Sequence, residues 1–135
     1  MDCIFCKIVA GDIPATKVYE DEETLAFMDI HPGNPGHTLV ITKQHVRNLF
    51  DMEPETGAAV MRSAVKVAQA IRDALQPDGL SLHQANEPAA SQEVMHFHLH
   101  LLPRWEGDDI SQLWHPKEAD LDTIQEIAEK IQAHL

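Results

Sequence analysis

The residues best suited to chemistry form an alternating run in the second half of the chain, His96-Phe97-His98-Leu99-His100. On a β-strand successive side chains point to opposite faces, so the three histidines would line one face, roughly 7 Å apart along the strand. Phe97, Leu99 and Leu101 would occupy the other face and pack into the core. The apolar side of the strand would therefore hold three imidazoles in a fixed row.

Three roles are open to such a row of imidazoles. A lone buried histidine is usually a hydrogen-bonded core residue, but three in strict alternation with large apolar residues are a poor choice for that role or for a solvated face. His-x-His on a strand is also a common zinc-ligand pair, yet the sequence holds neither a His-Glu-x-x-His helix nor an Asp-rich motif to complete a catalytic metal site. Neutral imidazole is nucleophilic near neutral pH. The pattern favours a functional site over a structural role.

The elements that must position these histidines are predicted from hydrophobic period and turn residues. A 3.6-residue period predicts a long helix over Glu55–Leu75, carried by Val60, Ala64, Val67, Ile71 and Ala74, and a second helical stripe through Leu121, Ile124, Ile127 or Ala128, and Ile131. A turn-rich loop, His31–Gly36, separates two of the strands. Strands are predicted at Val18–Glu20, Thr24–Asp29, His37–Lys43, Gly79–Asn86 and His96–Leu102. Without βαβ alternation, this order indicates an α+β fold with a mainly antiparallel five-stranded sheet, in a single domain spanning residues 1–135.

Composition and charge narrow the class of protein. The chain has 135 residues, 44% hydrophobic, and a formal charge of −12, which argues against a nucleic-acid-binding surface but allows a nucleotide in a recessed site. There is no run of 18 apolar residues, and the first residues carry an acid where a signal peptide would be positive, so we expect a cytoplasmic protein without a membrane partner. The only two cysteines, Cys3 and Cys6, suggest metal or redox chemistry rather than a disulfide framework.

Several motifs, in order along nearly the whole chain, resemble the histidine triad family and its Hint branch. They are the His-φ-His-φ-His-φ-φ run (φ, apolar) and four further segments, Cys3–Pro14, Tyr19–Glu22, Leu25–Ile30 and Asn34–Ile41. The resemblance implies a five-stranded sheet with one long central helix and a C-terminal helix. It also implies an enzyme that hydrolyses purine nucleoside monophosphate conjugates, such as phosphoramidates and adenylated amines, at the α-phosphorus through a nucleotidyl-histidine. Two alternatives stay open: a dinucleoside polyphosphate hydrolase, and a regulatory nucleotide-binding protein with incidental catalysis.

The resemblance also implies roles for individual residues. His98 would be the nucleophile, His100 would contact the phosphate or the departing group, and His37 would support the nucleophile. Asp29 would accept the ribose hydroxyls. The apolar wall of the nucleoside pocket would comprise Ile4, Phe5, Ile8, Phe27, Ile30 and Leu39, and phosphate contacts would come from Asn86, Gln92 and the backbone N–H of Glu93. Here the chain departs from many relatives, which have Asn-x-Gly and then Gly-Gln before the triad, because it has Asn86-Glu87-Pro88 and Ser91-Gln92.

The resemblance further implies a metal and a partner. Cys-x-x-Cys supplies two zinc ligands from one turn, and some bacterial relatives complete the set with two histidines at similar intervals. Cys3, Cys6, His45 and His96 would therefore hold a structural zinc that catalysis does not require. The alternative is that both cysteines are reduced core residues. Hint-branch relatives also pair so that two sheets become one of ten strands, and a homodimer is expected.

Overall fold

Five antiparallel strands form one sheet in a computed structural model that describes residues 2–111 and 114–135. The spatial order is β1-β2-β3-β5-β4, with every neighbouring pair antiparallel. This arrangement confirms the predicted fold class. The strands are β1 (Lys17–Glu20), β2 (Thr24–Met28), β3 (Thr38–Thr42), β4 (Gly79–His83) and β5 (His98–Arg104).

Two strand predictions were wrong at their ends. β4 stops at His83 and does not reach Asn86, because the chain turns there into an irregular loop. β5 begins at His98 and not at His96, so the three histidines do not share one strand face. His96 is completely buried just before the strand, where it faces the two cysteines and not the row formed by His98 and His100.

The described part of the chain also forms three α-helices: α1 (Ile4–Ala10), α2 (Pro54–Leu75) and α3 (Leu121–Gln132). Proline suits the first turn of α2, and the helix ends at Gln76, whose φ of 49° is left-handed, just before Pro77. The helix α1 was not predicted from the sequence. It begins where the Cys3 Sγ accepts a hydrogen bond from the Cys6 N–H (3.3 Å), and it ends at Gly11 with φ 82°.

The sheet carries one apolar cluster on each face. α2 packs on the first face, where Val60, Ala64 and Val67 meet Leu99 and Leu101 of β5. α1 covers part of the second face through Phe5 and Ile8, which pack with strand residues Leu25, Phe27, Leu39 and Ile41. Because β5 alternates, His98 and His100 emerge on the α1 face while the leucines between them anchor the strand to α2.

The C-terminal helix α3 is present as predicted, but its apolar stripe is exposed. Leu121, Ile124, Ile127 and Ile131 are between 49% and 79% exposed. None of the described helices combines the length and apolar composition needed to cross a membrane.

Candidate active site

His98 is held by a hydrogen bond that leaves one ring nitrogen free for chemistry. Its Nδ1 lies 2.7 Å from the backbone oxygen of His96, and because a carbonyl oxygen only accepts, Nδ1 must carry the proton. The proton is thus assigned from the partner atom, and Nε2 is left with an unprotonated lone pair. The edge of the Phe5 ring packs against the imidazole, with the ring centroids 5.2 Å apart. His98 therefore presents an oriented ring nitrogen with a free lone pair.

A chain of hydrogen bonds assigns the protons of the two neighbouring histidines. The Gly33 N–H donates to Nδ1 of His37 (3.0 Å), so in neutral His37 the proton sits on Nε2. That Nε2 lies 2.8 Å from Nδ1 of His100 and donates to it. Nδ1 of His100 is then an acceptor, and its Nε2 carries a proton. His100 is a hydrogen-bond donor, and its ring centroid lies 5.1 Å from that of His98.

Burial keeps these imidazoles uncharged. It lowers the pKa of His98 and of His37 below the ordinary value of 6.5. Burial, with the neighbouring histidines, lowers the pKa of His100 to about 4. The nearest carboxylate, Asp29, lies 3.6 Å from Nε2 of His37 and opposes the shift there only in part. At neutral pH the three rings are neutral, as nucleophilic attack by His98 requires.

Asp29, His37 and His100 also place one possible metal-ligand atom each within 4.8 Å of one another. The hydrogen bonds argue against a metal here. The Gly33 N–H donates to Nδ1 of His37, so the lone pair of that nitrogen is already used. The proton of neutral His37 then lies on Nε2, which donates it to His100 and has no lone pair for a metal.

A cavity of about 430 Å³ opens in front of His98 and His100, and we call it the nucleoside cavity because the sequence predicts nucleoside binding by residues that line it. Asp29 lines it with a side chain 18% exposed, and Oδ1 of that carboxylate accepts the His31 N–H (2.8 Å). Ile30 stands at its rim, 83% exposed. The structure brings together on this cavity most residues predicted for nucleotide binding: Ile4, Phe5, Ile8, Phe27, Asp29, Ile30, Leu39 and Glu93.

Two predicted phosphate contacts lie elsewhere. Asn86 accepts the Leu49 N–H through its side-chain oxygen (2.8 Å) and exchanges hydrogen bonds with Gln84. Gln92 is buried, and its amide bonds the Arg47 and Val94 carbonyls together with the Asn48 side chain and the Glu87 N–H. Both amides are occupied in supporting the loop and do not line the nucleoside cavity. The loop residues that line it are Ser91, Glu93 and Val94.

One histidine of this region was missed by the sequence analysis. His83 of β4 lies directly opposite His100 in the strand register, with ring centroids 5.6 Å apart. The sequence pattern carried no signal for this contact, because it gave neither the pairing of β4 with β5 nor their register.

Four further residues form a compact sulfur and nitrogen cluster beside the cavity. Cys3 Sγ lies 3.3 Å from Nδ1 of His96, and Cys6 Sγ lies 3.3 Å from Nδ1 of His45. The four possible ligand atoms all fall within 4.8 Å of one another. Nε2 of His96 lies 2.7 Å from the Thr42 carbonyl and must carry the proton, which leaves Nδ1 free to bind a metal. The donor set and the tautomer both suit a tetrahedral Cys2His2 site.

The sequence and the fold both match those of a known protein family. The HIT domain family model matches residues 10–107. The chain belongs to the HIT domain family. It is 42% identical to "Protein hit" of Bacillus subtilis, across 99% of this chain and 94% of that protein. A crystal structure of a Bacillus subtilis HIT family member is 41% identical, covers 100% of this chain and 98% of its own, and superposes with a TM-score of 0.94.

Two HIT relatives carry names that describe an activity. The adenosine 5′-monophosphoramidase hnt1 of Schizosaccharomyces pombe is 41% identical over 77% of this chain and 75% of its own. The adenylylsulfatase HINT3 of Arabidopsis thaliana is 38% identical over 79% of this chain and 54% of its own. A zinc-bound family member from Mycobacterium smegmatis is 37% identical, covers 100% of this chain and 99% of its own, and has a TM-score of 0.78.

Proposed function

We propose that this HIT protein hydrolyses nucleoside 5′-phosphoramidates and related adenylated amines through a covalent intermediate on His98. The observation that carries the proposal is the hydrogen bond from Nδ1 of His98 to the His96 carbonyl. It fixes the tautomer whose Nε2 can attack phosphorus, in a cavity that also holds Asp29 for the ribose.

The reaction then takes two steps. In the first, Nε2 of His98 bonds to phosphorus, and the bond from phosphorus to the departing nitrogen breaks. The ring becomes positively charged, and the His96 carbonyl stabilises that charge because it already accepts the Nδ1 proton. The Nε2 proton of His100 faces the phosphoryl oxygens. In the second step, water attacks phosphorus and returns the electron pair to His98.

Replacing the nucleophile tests this proposal. We expect His98→Ala to lower kcat by more than about a hundredfold while AMP binds within a few-fold of wild type, because the lost bond forms only on the reaction path. The control is His134→Ala, which removes an exposed histidine beyond α3 and should retain full activity. Rapid denaturation of wild type during turnover of phosphorus-labelled substrate should leave label on the protein. A His98→Ala variant that keeps more than about a tenth of kcat would contradict covalent catalysis at this residue.

We also propose that Cys3, Cys6, His45 and His96 hold one zinc ion. The short sulfur to nitrogen distances and the His96 tautomer support this site. With four protein ligands, the ion would have no open position for a reactive water, so its contribution would be structural. It would join the start of α1 to the segment after β3, which carries His45, and to the segment before β5, which carries His96.

We further propose that the protein is a homodimer that pairs through β4. The sheet has two edges, β1 and β4. The register of β1 is broken between Lys17 and Tyr19, and an irregular edge carrying a lysine disfavours pairing. β4 pairs with β5 in a regular register. On the helix α2, Met61 and Val65 are each 47% exposed. They belong to a stripe of side chains that continues through Ala68 towards β4.

A further inference from the structure

The loop before β5, which carries Ser91, Glu93 and Val94 to the nucleoside cavity, passes through one residue in a backbone conformation that suits glycine. Glu87 has φ 75° and ψ 158°. This region of backbone space is strained for a residue with a Cβ, and it is populated almost only by glycine. A glutamate persists there only where its surroundings hold it, so the contacts of Glu87 decide the path of the loop.

Glu87 is held through both its side chain and its backbone. Nε and Nη2 of Arg47 donate to the two carboxylate oxygens at 2.8 and 2.9 Å, a bidentate geometry that fixes orientation as well as distance. The Asn48 side-chain amide donates to the same carboxylate. The Glu87 N–H donates to Oε1 of Gln92 (2.7 Å), which is itself buried. The ion pair of Arg47 and Glu87 therefore ties the strained residue to the segment between β3 and α2.

The path of the loop matters because the nucleoside cavity has few groups that could meet a phosphate. No lysine or arginine lines it among the described residues, whereas the acids Asp29 and Glu93 do. Within the loop, the N–H groups of Ser91 and Gln92 donate to carbonyls of the loop itself. The N–H of Glu93 has no acceptor among the described residues, so it is available to a ligand. A phosphate in this cavity would therefore depend on that donor and on the Nε2 proton of His100.

We infer that Arg47 and Glu87 are positioning residues, whose ion pair holds the loop in the glycine-like conformation at Glu87 and so places the Glu93 N–H against the substrate phosphate. This inference rests on the proposed phosphoramidate hydrolysis and adds to it two residues outside the reacting centre. Arg47 does not line the nucleoside cavity, and its guanidinium is bonded to Glu87, so it acts through the loop. The two side chains are 46% and 40% exposed, so removal of the pair should leave the fold intact.

Binding of AMP and of adenosine, measured by titration calorimetry, tests the role of the pair, because only AMP carries the phosphate. Arg47→Met leaves the strained Glu87 without its bidentate partner. We expect this change to weaken AMP binding by about tenfold, the scale set by the release of backbone strain, while adenosine binds within about twofold of wild type. The value of kcat/KM for adenosine 5′-phosphoramidate should fall by the same factor as AMP affinity.

A second change tests the backbone argument directly. Glycine adopts the conformation of residue 87 without strain and needs no ion pair to hold it. Arg47→Met combined with Glu87→Gly should therefore restore AMP affinity to within about threefold of wild type. Neither a general loss of structure nor a lost bond from Arg47 to phosphate would be rescued in this way. The matched control is Arg62→Met, which removes an exposed arginine of α2 that lies 3.9 Å from Glu23, and it should leave both affinities unchanged.

The outcomes separate this inference from the proposed function. If wild type binds AMP but hydrolyses no adenosine 5′-phosphoramidate, the proposed function fails, while the affinities still decide the role of the pair. If Arg47→Met binds AMP as tightly as wild type, or if it weakens AMP and adenosine binding equally, the assignment of the pair is wrong. A loss of AMP affinity that Glu87→Gly does not restore would also overturn it.

Discussion

Single hydrogen bonds decide what each histidine can do at this site. His98 and His100 are the same residue type on the same strand, yet one presents a lone pair and the other a proton at Nε2. The difference arises because Nδ1 of His98 meets a carbonyl while Nδ1 of His100 meets the protonated nitrogen of His37. Gly33, through one backbone N–H, therefore sets the proton on a ring two residues further along the hydrogen-bond chain.

The low pKa of His100 predicts how stability changes with acidity. Burial and neighbouring histidines lower it to about 4 from 6.5. Between those values the unfolded chain binds more protons at this residue than the folded protein, so the free energy of unfolding falls as the pH drops from 6.5 to 4. The His100 ring resonances in NMR should titrate near pH 4, and His100→Asn should show a shallower decline of Tm over that interval. A ring that titrates between pH 6 and 7 would contradict this picture.

At the level of elements, the five strands and the two amphipathic helices α2 and α3 were predictable, whereas α1 and the loop before β5 were not. The two-residue period of a strand is geometric, so it placed His98 and His100 correctly against the core leucines. The side chains of Asn86 and Gln92 point away from the cavity because the loop passes through left-handed backbone at Glu87 (φ 75°) and Ser91 (φ 71°). Hydrophobic patterning carries no information about such dihedrals in non-glycine residues. His96 was misplaced for a related reason, since the pattern cannot show where a strand begins.

The turn before β3 depends on a glycine. Gly36 has φ 88°, and a Cβ there would collide with the Leu75 side chain and press on Pro103. Gly36→Ala should therefore lower the free energy of unfolding by about 1–3 kcal/mol. Gly57→Ala is the matched control: it lies within α2, its Cβ would meet only Met52 at an ordinary 3.5 Å, and it should raise stability by about 0.5–1 kcal/mol. Equal effects of the two alanines in denaturant titrations would contradict the argument.

The proposed zinc site predicts which property depends on Cys3. Metal analysis of protein purified without chelator should give about one zinc per chain. Cys3→Ser should lose the metal, but serine keeps the N-cap hydrogen bond of α1, so any loss of Tm reports the metal and not the cap. The hydrogen bond that orients His98 is accepted by the His96 backbone carbonyl and not by a metal-ligand atom, so kcat should change little. Zinc-free protein with full activity and unchanged Tm would refute the site.

At the scale of the whole molecule, a single chain leaves apolar side chains of β4, α2 and α3 exposed to water. The chain carries a formal charge of −12, which keeps identical copies apart unless specific apolar contacts offset the repulsion. Such surface is present on the described residues at the β4 edge and on α2, where Leu82 is 49% and Val65 47% exposed, and along the stripe of α3. The sequence predicted the helix α3 from its period, but a period alone does not identify what the apolar face packs against.

The proposed dimer predicts which of the two sheet edges, β1 or β4, pairs with a second chain. Light scattering at micromolar concentration should give about twice the chain mass of 15.1 kDa. Val65→Glu places a charge on the α2 stripe next to β4, where burial without a partner is costly, and should shift the protein to monomer. Val18→Glu makes the same change on the β1 edge, at a residue 51% exposed, and should leave the mass of the dimer unchanged. If the wild-type mass is that of one chain, pairing is wrong; if Val18→Glu dissociates the protein and Val65→Glu does not, β1 and not β4 is the paired edge.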